Sequence, residues 1–462
     1  MRNIAIIGSG QAGLLAAHAL VKAGYRVTLY SDRTPEQWLR ESRPTGTATR
    51  FDLALQFEYE LDLNSWVDDA PWGDGFHITF CPMLGNRMLT VTGRLRRPFV
   101  AIDLRLQSHQ WMKELEARGG QVRIESVSPR RLDEISAEHD LTIVAAGRAD
   151  LCNLFERDAT RSVYHTAQRQ LAMVCVKGPQ MGFDGIPLLP VKLNLMAPAG
   201  EAFWVPYFHK DAGPSWNLLF EARPGGPMDR FREAKSAAQV LEVGKQVVRD
   251  LMPWDEAWMR GAQVSDPNGW LVGSFAPTVR KPVARLPSGR YVMPLGDTAM
   301  SLDPIGGQGA NNGNKMARNL VECILAHGDG AFDSQWMTDT FERYWREHGE
   351  ATSTFNNLLI EPMPTAGRDL LIAQYGSDGR FDNTSGEQRL ANAFVENFND
   401  PTRLTPLLQD PHRMRQFISQ ETGRSWMRAM AGGGLGIARE EWRQLRGHEP
   451  RHPLVHGYKK AA

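Results

Sequence analysis

The first 31 residues show apolar and helical patterns in the order strand, helix, strand. Residues 4–7 are all apolar, which indicates a buried strand. Residues 14–20 have a helical pattern, and a second apolar strand covers residues 26–30. Because Gly8, Gly10 and Gly13 lie between the first strand and the helix, we predict a β-α-β unit that contains a glycine turn.

The rest of the chain changes from mixed patterns to a mostly helical one. After an amphipathic stretch at 53–63, the elements predicted up to residue 330 are, in order, a helix at 103–115, strands at 122–127 and 140–146, a helix near 233–251, a strand at 291–295 and a helix at about 313–326. Between 160 and 290 the other residues alternate as β-strands do. From about residue 333 the pattern is helical, with breaks predicted at the Pro and Gly clusters at 362–367, 376–386 and 431–436.

Composition narrows the class of protein. Lys plus Arg and Asp plus Glu each number 53, so the formal net charge of the 462 residues is zero, and neither nucleic acid nor a membrane surface is indicated as a partner. No apolar run reaches transmembrane length, and the first strand begins so early that no signal peptide is expected. The four cysteines are widely spaced and lack metal-ligand spacing, which predicts a cytoplasmic protein without a metal site.

The glycine turn has the spacing of a dinucleotide-binding site. Gly8 allows the turn, Gly10 lets the backbone approach a pyrophosphate, and Gly13 lets the helix pack close to the strand. The phosphates of the ligand would then lie at the helix N-terminus, where unpaired N–H groups favour negative charge.

A second glycine-rich segment follows the strand predicted at 291–295. Gly296-Asp297 ends that strand, and the run from Asp303 to Asn312 precedes the next predicted helix. An aspartate after a strand can accept a hydrogen bond from a ribityl hydroxyl, and a helix N-terminus stabilises the negative charge of a reduced isoalloxazine ring. Together the two segments predict a flavin nucleotide as ligand.

On these motifs the chain resembles the flavoprotein aromatic monooxygenases of the para-hydroxybenzoate hydroxylase fold. It is most similar to the FAD-dependent epoxidase component of the two-component styrene and indole monooxygenases. The residues that carry the resemblance are Gly8-x-Gly10-x-x-Gly13, Tyr30-Ser-Asp32-Arg33, Arg43, Asp103-x-Arg105, Leu115-Glu-Ala-Arg-Gly-Gly120, Gly296-Asp297 and Asp303-Pro-x-x-Gly-Gln-Gly-Ala-Asn311. The resemblance covers about residues 1–355, and its last string is the most specific.

The resemblance implies an α/β fold in four segments. Residues 1–160 and 286–332 would form an FAD-binding Rossmann-like domain of the glutathione-reductase type. Residues 161–285 would form an interleaved β-sheet substrate domain, and residues 333–462 a helical C-terminal region. The implied FAD-binding residues are Gly8, Gly10, Gln11, Ala12, Gly13, Asp32, Arg33, Arg43, Arg105, Gly147, Asp297, Pro304, Gly309, Ala310 and Asn311.

Two departures from the family pattern affect the expected function. Ser31 stands where most dinucleotide folds carry an acid for the ribose, so ribose binding would fall to Asp32, to Arg33 or to backbone. Single-component hydroxylases have an Asp-Gly motif after the strand at 140–146, whereas this chain has Ala146-Gly147-Arg148. The second departure favours a two-component system, in which a separate NADH-dependent flavin reductase supplies reduced FAD as a co-substrate.

The implied substrate pocket matches neither known subtype. Styrene-type enzymes have Asn-x-Val-x-His and indole-type enzymes Ser-x-Gln-x-Met after the Arg43 position, where this chain has Gly46-x-Ala48-x-Arg50. The pocket candidates are Gly46, Thr47, Ala48, Arg50, Pro304 and Gly307. Arg50 would bind a substrate anion, or instead pair with an acid such as Asp52 or with an FAD phosphate.

The predicted function is therefore a reaction of reduced FAD and O2 that epoxidises or hydroxylates a small aromatic alkene or indole-like substrate. The resemblance is compatible with a homodimer. Three alternatives stay open: a single-component NAD(P)H-dependent FAD hydroxylase, a flavin-dependent halogenase and a non-catalytic flavin carrier. The missing Asp-Gly motif argues against the first, and the absence of a Trp-x-Trp-x-Ile segment from the sequence argues against the second.

Overall fold

The structure is a computed structural model that describes residues 2–147, 149–183, 186, 188–375 and 384–447. The strands are β1 (Asn3–Ile7), β2 (Arg26–Ser31), β3 (Thr49–Arg50), β4 (Gly73–Cys81), β5 (Leu89–Ala101), β6 (Gln121–Ile124), β7 (Leu141–Val144), β8 (Gln170–Lys177), β9 (Pro190–Met196), β10 (Gly200–His209), β11 (Gly213–Ala222), β12 (Gln263–Val264), β13 (Trp270–Gly273), β14 (Thr278–Val279), β15 (Ala284–Arg285), β16 (Tyr291–Pro294) and β17 (Met300–Ser301).

The helices are α1 (Gln11–Lys22), α2 (Pro35–Arg40), α3 (Asp52–Glu60), α4 (Leu104–Ala117), α5 (Pro129–Glu138), α6 (Ala149–Cys152), α7 (Ala237–Leu251), α8 (Glu256–Met259), α9 (Gln308–His327), α10 (Ser334–Tyr344), α11 (Glu350–Ile360), α12 (Thr365–Ala373), α13 (Gly386–Asn399), α14 (Pro401–Leu408), α15 (Pro411–Thr422) and α16 (Trp426–Leu445). Short 3-10 turns cover Pro253–Asp255, Gly296–Thr298 and Pro304–Gly306, and a π-helical turn, Trp345–Gly349, joins α10 to α11. Within the described ranges no helix is long and apolar enough to cross a membrane.

The chain divides into two compact units. Unit 1 consists of Met1–Asp69, Ile102–Gln168 and Ser274–Ser353, and unit 2 of Ala70–Ala101, Arg169–Gly273 and Thr354–Ala462. These cuts differ from the predicted domain boundaries at 160, 285 and 332, because β4 and β5 group with unit 2 and α10 groups with unit 1. The functional roles assigned to the predicted domains stay predictions.

Unit 1 is built on a sheet with the strand order β15-β16-β7-β1-β2-β6. The strands from β16 to β6 run parallel, as the predicted β-α-β unit requires, and β15 is antiparallel to β16. One apolar core contains residues of α1, α4 and α9 together with β1, and a second contains residues of α5 with β7. With cores on both faces of the sheet, its polar chemistry is confined to the ends of the strands.

Unit 2 is built on a mixed sheet with the order β12-β8-β11-β10-β9-β4-β5, in which β13 also pairs with β8. β4 and β9 are parallel, and the other neighbours are antiparallel. The amphipathic helix α7 packs its apolar residues onto one core of this unit. Helix α13 packs so closely on β5 that a Cβ at Gly93 would lie 2.6 Å from the carbonyl oxygen of Ala391.

Several predicted boundaries were wrong. Helix α9 begins at Gln308 rather than near residue 313, and β6 ends at Ile124 rather than at 127. Helix α12 begins at Thr365, inside the predicted break at 362–367. Of the predicted break at 376–386, residues 376–383 lie outside the described chain, and α13 starts at Gly386.

The predicted break at 431–436 is wrong for a packing reason. Helix α16 continues through its four glycines. Gly433 lets it pack against α12, because a side chain at this position would overlap the carbonyl oxygen of Ile372. Close packing against a neighbouring helix thus outweighs the low helix propensity of glycine. Gly434, one residue further on, is exposed, and no described atom lies within 4 Å of where its Cβ would be.

These two adjacent glycines give a matched test of the helix. We expect Gly434→Ala to raise the free energy of unfolding by about 0.5–1 kcal/mol, because alanine is the better helix former. We expect Gly433→Ala to lower it by about 1–3 kcal/mol through overpacking. Unfolding midpoints of both variants and the unchanged chain decide the point. Shifts of the same sign would contradict a continuous α16 packed on Ile372.

Candidate active site

The turn between β1 and α1 is shaped by two glycines with no room for a side chain. Gly8 has φ +119°, and a Cβ there would lie 2.5 Å from the carbonyl oxygen of Ala145, which follows β7. A Cβ at Gly13 would overlap the carbonyl oxygen of Gly8. Gly10 differs, because no atom of the described chain lies within 4 Å of its would-be Cβ. Gly8 and Gly13 therefore pack the turn, and Gly10 leaves space beside it.

The N-terminus of α1 is open to an anion. Gly10 is the N-cap residue, no described side chain caps the helix, and its first turn contains no acidic residue. Gly10, Gln11 and Ala12 are partly exposed, although the rest of α1 up to Leu20 is buried. The first N–H groups of a helix lack intrahelical acceptors and carry the positive end of its dipole, so this end favours a negatively charged group.

The N-terminus of α9 is similar and lies near α1. Gly307 is the N-cap in the left-handed conformation (φ 60°), and within the described chain no side chain caps this helix. The Cβ of Ala12 would lie 3.1 Å from a Cβ at Gly296 and 3.3 Å from one at Gly313. Because only small residues meet there, both predicted glycine segments come together at the carboxyl edge of the unit 1 sheet.

Asp297 contributes a carboxylate to the carboxyl edge of the unit 1 sheet. Its Oδ1 lies 4.0 Å from where a Cβ of Gly309 would be, which places the carboxylate at the start of α9. The residue is exposed to water, yet desolvation by the surrounding protein raises the pKa of its carboxyl group, and Arg280 opposes that rise. An accessible carboxylate is a hydrogen-bond acceptor for a ligand hydroxyl.

Exposure separates the predicted site residues into two sets. Those with accessible surface are Gly8, Gly10, Gln11, Ala12, Asp32, Arg33, Arg43, Gly46, Thr47, Ala48, Gly147, Asp297, Pro304, Gly307, Gly309 and Ala310. Those that are buried are Gly13, Arg50, Arg105 and Asn311. A buried side chain offers no surface to a ligand, so the second set acts through packing or hydrogen bonds. Arg148, the last residue of the predicted Ala146-Gly147-Arg148 signature, lies outside the described residues.

Two of the buried residues hold the chain around the site. Asp103 caps α4 and accepts from Arg105 at Oδ1 (Nε, 2.9 Å) and Oδ2 (Nη2, 2.7 Å), and both side chains are fully buried. Asn311 accepts from the N–H of Phe51 (2.8 Å) and donates to the carbonyl oxygens of Thr49 (2.8 Å) and Gly307 (2.7 Å). The Arg105 guanidinium therefore has no exposed atom with which to contact a cofactor directly.

Arg50 is buried and pairs with a protein acid, as one of the alternatives expected, but that acid is Glu58 rather than Asp52. Its Nε lies 2.7 Å from Glu58 Oε1, and its Nη1 donates to the carbonyl oxygen of Ala48 (2.9 Å) and to Gln107 Oε1 (3.1 Å). Burial raises the pKa of the Glu58 carboxyl group, and Arg50 opposes the rise. Glu58 thus supplies the carboxylate that the sequence argument had sought in a substrate or in Asp52.

Glu58 is the main residue that the sequence reasoning missed. It also accepts a hydrogen bond from Asn314 Nδ2 at 2.8 Å, which ties α3 to α9. A signal for it was present, because Glu58 follows Ala54 and Leu55 at helical spacing and so falls on the buried face of α3. Asp52, in the first turn of α3, accepts a hydrogen bond from the Gln56 amide at 3.3 Å.

One group of potential metal ligands occurs in the described part of unit 2. It consists of His209, Asp211 and Asp266, whose ligand atoms lie within 4.8 Å of one another. Nδ1 of His209 accepts from the backbone N–H groups of Asp211 and Ala212 (both 3.1 Å), and Nε2 lies 2.5 Å from Asp266 Oδ2. Nδ1 thus fixes the β10–β11 turn, and Nε2 links that turn to Asp266.

Comparisons with known proteins find relatives that cover most of this chain. A family model described as "Styrene monooxygenase A putative substrate binding domain" matches residues 147–257, and an NAD(P)-binding Rossmann-like domain model matches residues 6–56. Styrene monooxygenase StyA of Pseudomonas fluorescens is 27% identical over 426 residues, which cover 91% of this chain and 98% of that protein. These matches support a styrene monooxygenase-like family and, at that coarser level, a flavin-dependent monooxygenase.

Solved structures of other proteins have the same fold as this chain. The flavin-dependent brominase Bmp2 matches with a TM-score of 0.57 at 13% identity, covering 96% of this chain and 99% of the brominase. 2-Methyl-3-hydroxypyridine-5-carboxylic acid oxygenase matches with a TM-score of 0.54 at 16% identity, covering 87% and 98%. The predicted fold class, a Rossmann-like domain with a β-sheet domain and a helical C-terminal region, is confirmed.

The corrected pairing of Arg50 can be tested with two isosteric variants. We expect Glu58→Gln to lower the free energy of unfolding by about 3 kcal/mol, because it leaves the buried guanidinium without a countercharge. The control Asp52→Asn should change it by less than about 1 kcal/mol, because Asp52 lies at the start of α3 and outside the pair. Denaturant unfolding of both variants measures the difference. Equal losses, or a larger loss in Asp52→Asn, would contradict the assignment.

Proposed function

We propose that this chain is the oxygenase component of a two-component system. It would use reduced FAD and O2 to epoxidise or hydroxylate an aromatic alkene or an indole-like substrate. The observation that carries the proposal is the close approach of the first turns of α1 and α9 and of the Gly296 turn, through Ala12, Gly296 and Gly313, with no described side chain capping either helix. Two positive helix ends near one carboxylate, Asp297, suit a ligand with a pyrophosphate, a polyol and a ring that becomes anionic.

The residues at α1 fit the pyrophosphate of FAD. The open space beside Gly10 admits a phosphate next to the backbone, and the N–H groups of the first helical turn donate to its oxygens. No basic side chain is required for this contact, since the backbone and the dipole supply the positive potential. The dinucleotide form of flavin is proposed because FMN lacks the pyrophosphate that this turn is shaped to hold.

The residues at α9 fit the flavin half. Asp297 would accept from a ribityl hydroxyl, and the N-terminus of α9 would stabilise negative charge on the ring. Reduced FAD, when bound, supplies the two electrons with which one atom of O2 becomes water and the other enters the substrate. Gly307, Gly309 and Ala310 are accessible and carry no bulky side chains, so they let the ring approach the backbone.

Two features support a separate NADH-dependent flavin reductase and a neutral substrate. The chain has Ala146-Gly147 where single-component hydroxylases carry Asp-Gly, which removes a group associated with nicotinamide use. Arg50 is committed to Glu58, so it is not available to bind a substrate carboxylate. The matched relative StyA is named for styrene, a neutral aromatic alkene. We therefore favour uncharged aromatic substrates over their carboxylated analogues.

The proposal is tested by product analysis. Reduced FAD, air and the purified chain are mixed with styrene, with indole and with carboxylated analogues of both. We expect oxygenated products from the neutral compounds, and with labelled dioxygen one oxygen atom of each product should come from O2. Rapid oxidation of NADH by the chain and FAD without a reductase would instead support the single-component hydroxylase. FAD binding without any product would support a flavin carrier.

Gly10→Val tests the phosphate site. A branched side chain in the space beside Gly10 would block the pyrophosphate, so we expect FAD affinity to be almost abolished while the fold is kept. Gly261→Val is the control, because Gly261 is exposed in unit 2 and its would-be Cβ has no described atom within 4 Å. Fluorescence titration with FAD gives both dissociation constants. Unchanged FAD binding by Gly10→Val would refute the assignment.

The charge preference of α9 gives a second binding test. Reduced FAD should bind about ten- to thirtyfold more tightly than oxidised FAD, which corresponds to about 1–2 kcal/mol of coupling between the helix end and the ring charge. Ala310→Asp places a carboxylate in the first turn of α9 and should shrink this ratio, whereas the uncharged Ala310→Asn should not. Anaerobic titrations measure the ratio. Equal affinities of the unchanged chain for both redox states would contradict the proposed role of α9.

A further inference from the structure

Helix α16 of unit 2 exposes an apolar face along its whole length. The large exposed side chains on it are Met427 (62%), Leu435 (61%), Trp442 (55%) and Leu445 (85%). Because successive members lie eight, seven and three residues apart, which is close to whole helical turns, they lie on the same side of the helix. The opposite side is buried at Ala429, Gly433 and Glu440. At 1.5 Å per residue the apolar face is about 27 Å long.

Small residues continue this face between the large side chains. Ala431, Gly434 and Ala438 are exposed and fall on the same side of the helix, because they follow Met427 at steps of four, three and four residues. No described atom lies within 4 Å of where a Cβ of Gly434 would be. The four large side chains are therefore spaced along an otherwise smooth apolar surface.

The loop between β4 and β5 adds to this surface. Its residues Met83 and Leu84 are 62% and 46% exposed. Nε2 of Gln444, in the last turn of α16, donates to the carbonyl oxygen of Arg87 in the same loop at 2.9 Å. The loop and the C-terminal end of α16 are thus held together, so their exposed apolar side chains share one region of unit 2.

A row of arginines runs beside the apolar face. Arg428, Arg439 and Arg446 are exposed, and their spacings of eleven and seven residues, about three and two helical turns, put them on one flank. The guanidinium of Arg446 lies over the ring of Trp442, 3.5 Å from its centroid, which brings positive charge next to the apolar face. Glu441 is the one exposed acidic residue between residues 426 and 447. The exposed charge of α16 is therefore positive.

These arginines distinguish between occupants of the face. A second copy packed antiparallel across Gly434 would set the arginine row of one helix against that of the other, and like charges oppose association. An anionic surface instead gives every arginine a countercharge. Helices that combine an apolar face, a basic flank and a tryptophan bind in the plane of an anionic lipid bilayer, where the apolar face enters the headgroup region.

We propose that α16 docks unit 2 on an anionic lipid surface. The four large apolar side chains enter the boundary between headgroups and acyl chains, and the three arginines bind lipid phosphates. Such a helix lies on the bilayer and does not cross it. The zero net charge of the whole chain predicted no membrane partner, but that sum does not show the positive charge concentrated beside α16. The inference is independent of the proposed function.

Vesicle binding by the full chain tests the proposal. The chain is mixed with vesicles of phosphatidylcholine alone, or of equal parts of phosphatidylcholine and phosphatidylglycerol, and the bound fraction is measured by flotation. We expect binding to the anionic vesicles and much weaker binding to the neutral ones. Added salt should reduce this difference, because it screens the attraction between the arginines and the lipid headgroups.

Variants of α16 with matched controls locate the contact. Leu445→Gln should weaken binding to the anionic vesicles about tenfold. Arg428→Gln combined with Arg439→Gln should weaken it about fivefold for each arginine. The controls Leu325→Gln, at an exposed leucine of α9, and Arg40→Gln, at an exposed arginine of α2, should bind as the unchanged chain does. All these side chains are exposed, so the unfolding midpoints should stay the same.

Three results would overturn the proposal. The first is no binding to either kind of vesicle, or equal losses in the α16 variants and their controls. The second is a loss in the arginine variant without one in Leu445→Gln, which would show attraction by charge alone, as a soluble acidic partner would give. The third is self-association of the unchanged chain, measured by light scattering, that Leu445→Gln abolishes, because the face would then belong to a second copy.

Discussion

The close approach of α1 to α9 is the contact on which the proposed site depends. Ala12 faces Gly296 and Gly313, and a Cβ on either glycine would lie within 3.3 Å of the alanine methyl group. A larger residue at Ala12 or Gly313 would push the two helices apart, and one at Gly296 would push its turn away from α1. Their proximity places two positive helix ends at one edge of a parallel sheet, where a single anionic ligand can interact with both.

The buried polar groups around this edge hold its loops in place. Arg50 and Glu58 neutralise each other and link β3, α3 and, through Asn314, α9. A buried ion pair contributes little net stability, but it is costly to break, so it fixes the chain in one arrangement. The charge of Arg50 is thus neutralised inside the protein.

The local part of this structure could be predicted from the sequence, and the long-range part could not. The glycine turn, the strands beside it and the helix at Asp103 follow from apolar runs and glycine spacing within a few residues. The start of α9 was misplaced because its polar first residues have no apolar period. Asn311 is buried there by hydrogen bonds to the backbone of Thr49 and Phe51, which are about 260 residues away in sequence. The glycine pattern predicts a break at 431–436, because the packing partner of Gly433, the carbonyl oxygen of Ile372, is also distant in sequence.

A crystal structure of the chain with FAD would show where the cofactor lies. We expect density for the pyrophosphate against the backbone of Gly10 to Ala12, and for the flavin ring beside the start of α9 near Gly309. We also expect Asp297 within hydrogen-bond distance of a ribityl hydroxyl. FAD bound at another edge of unit 1, or with its pyrophosphate away from the glycine turn, would contradict the account.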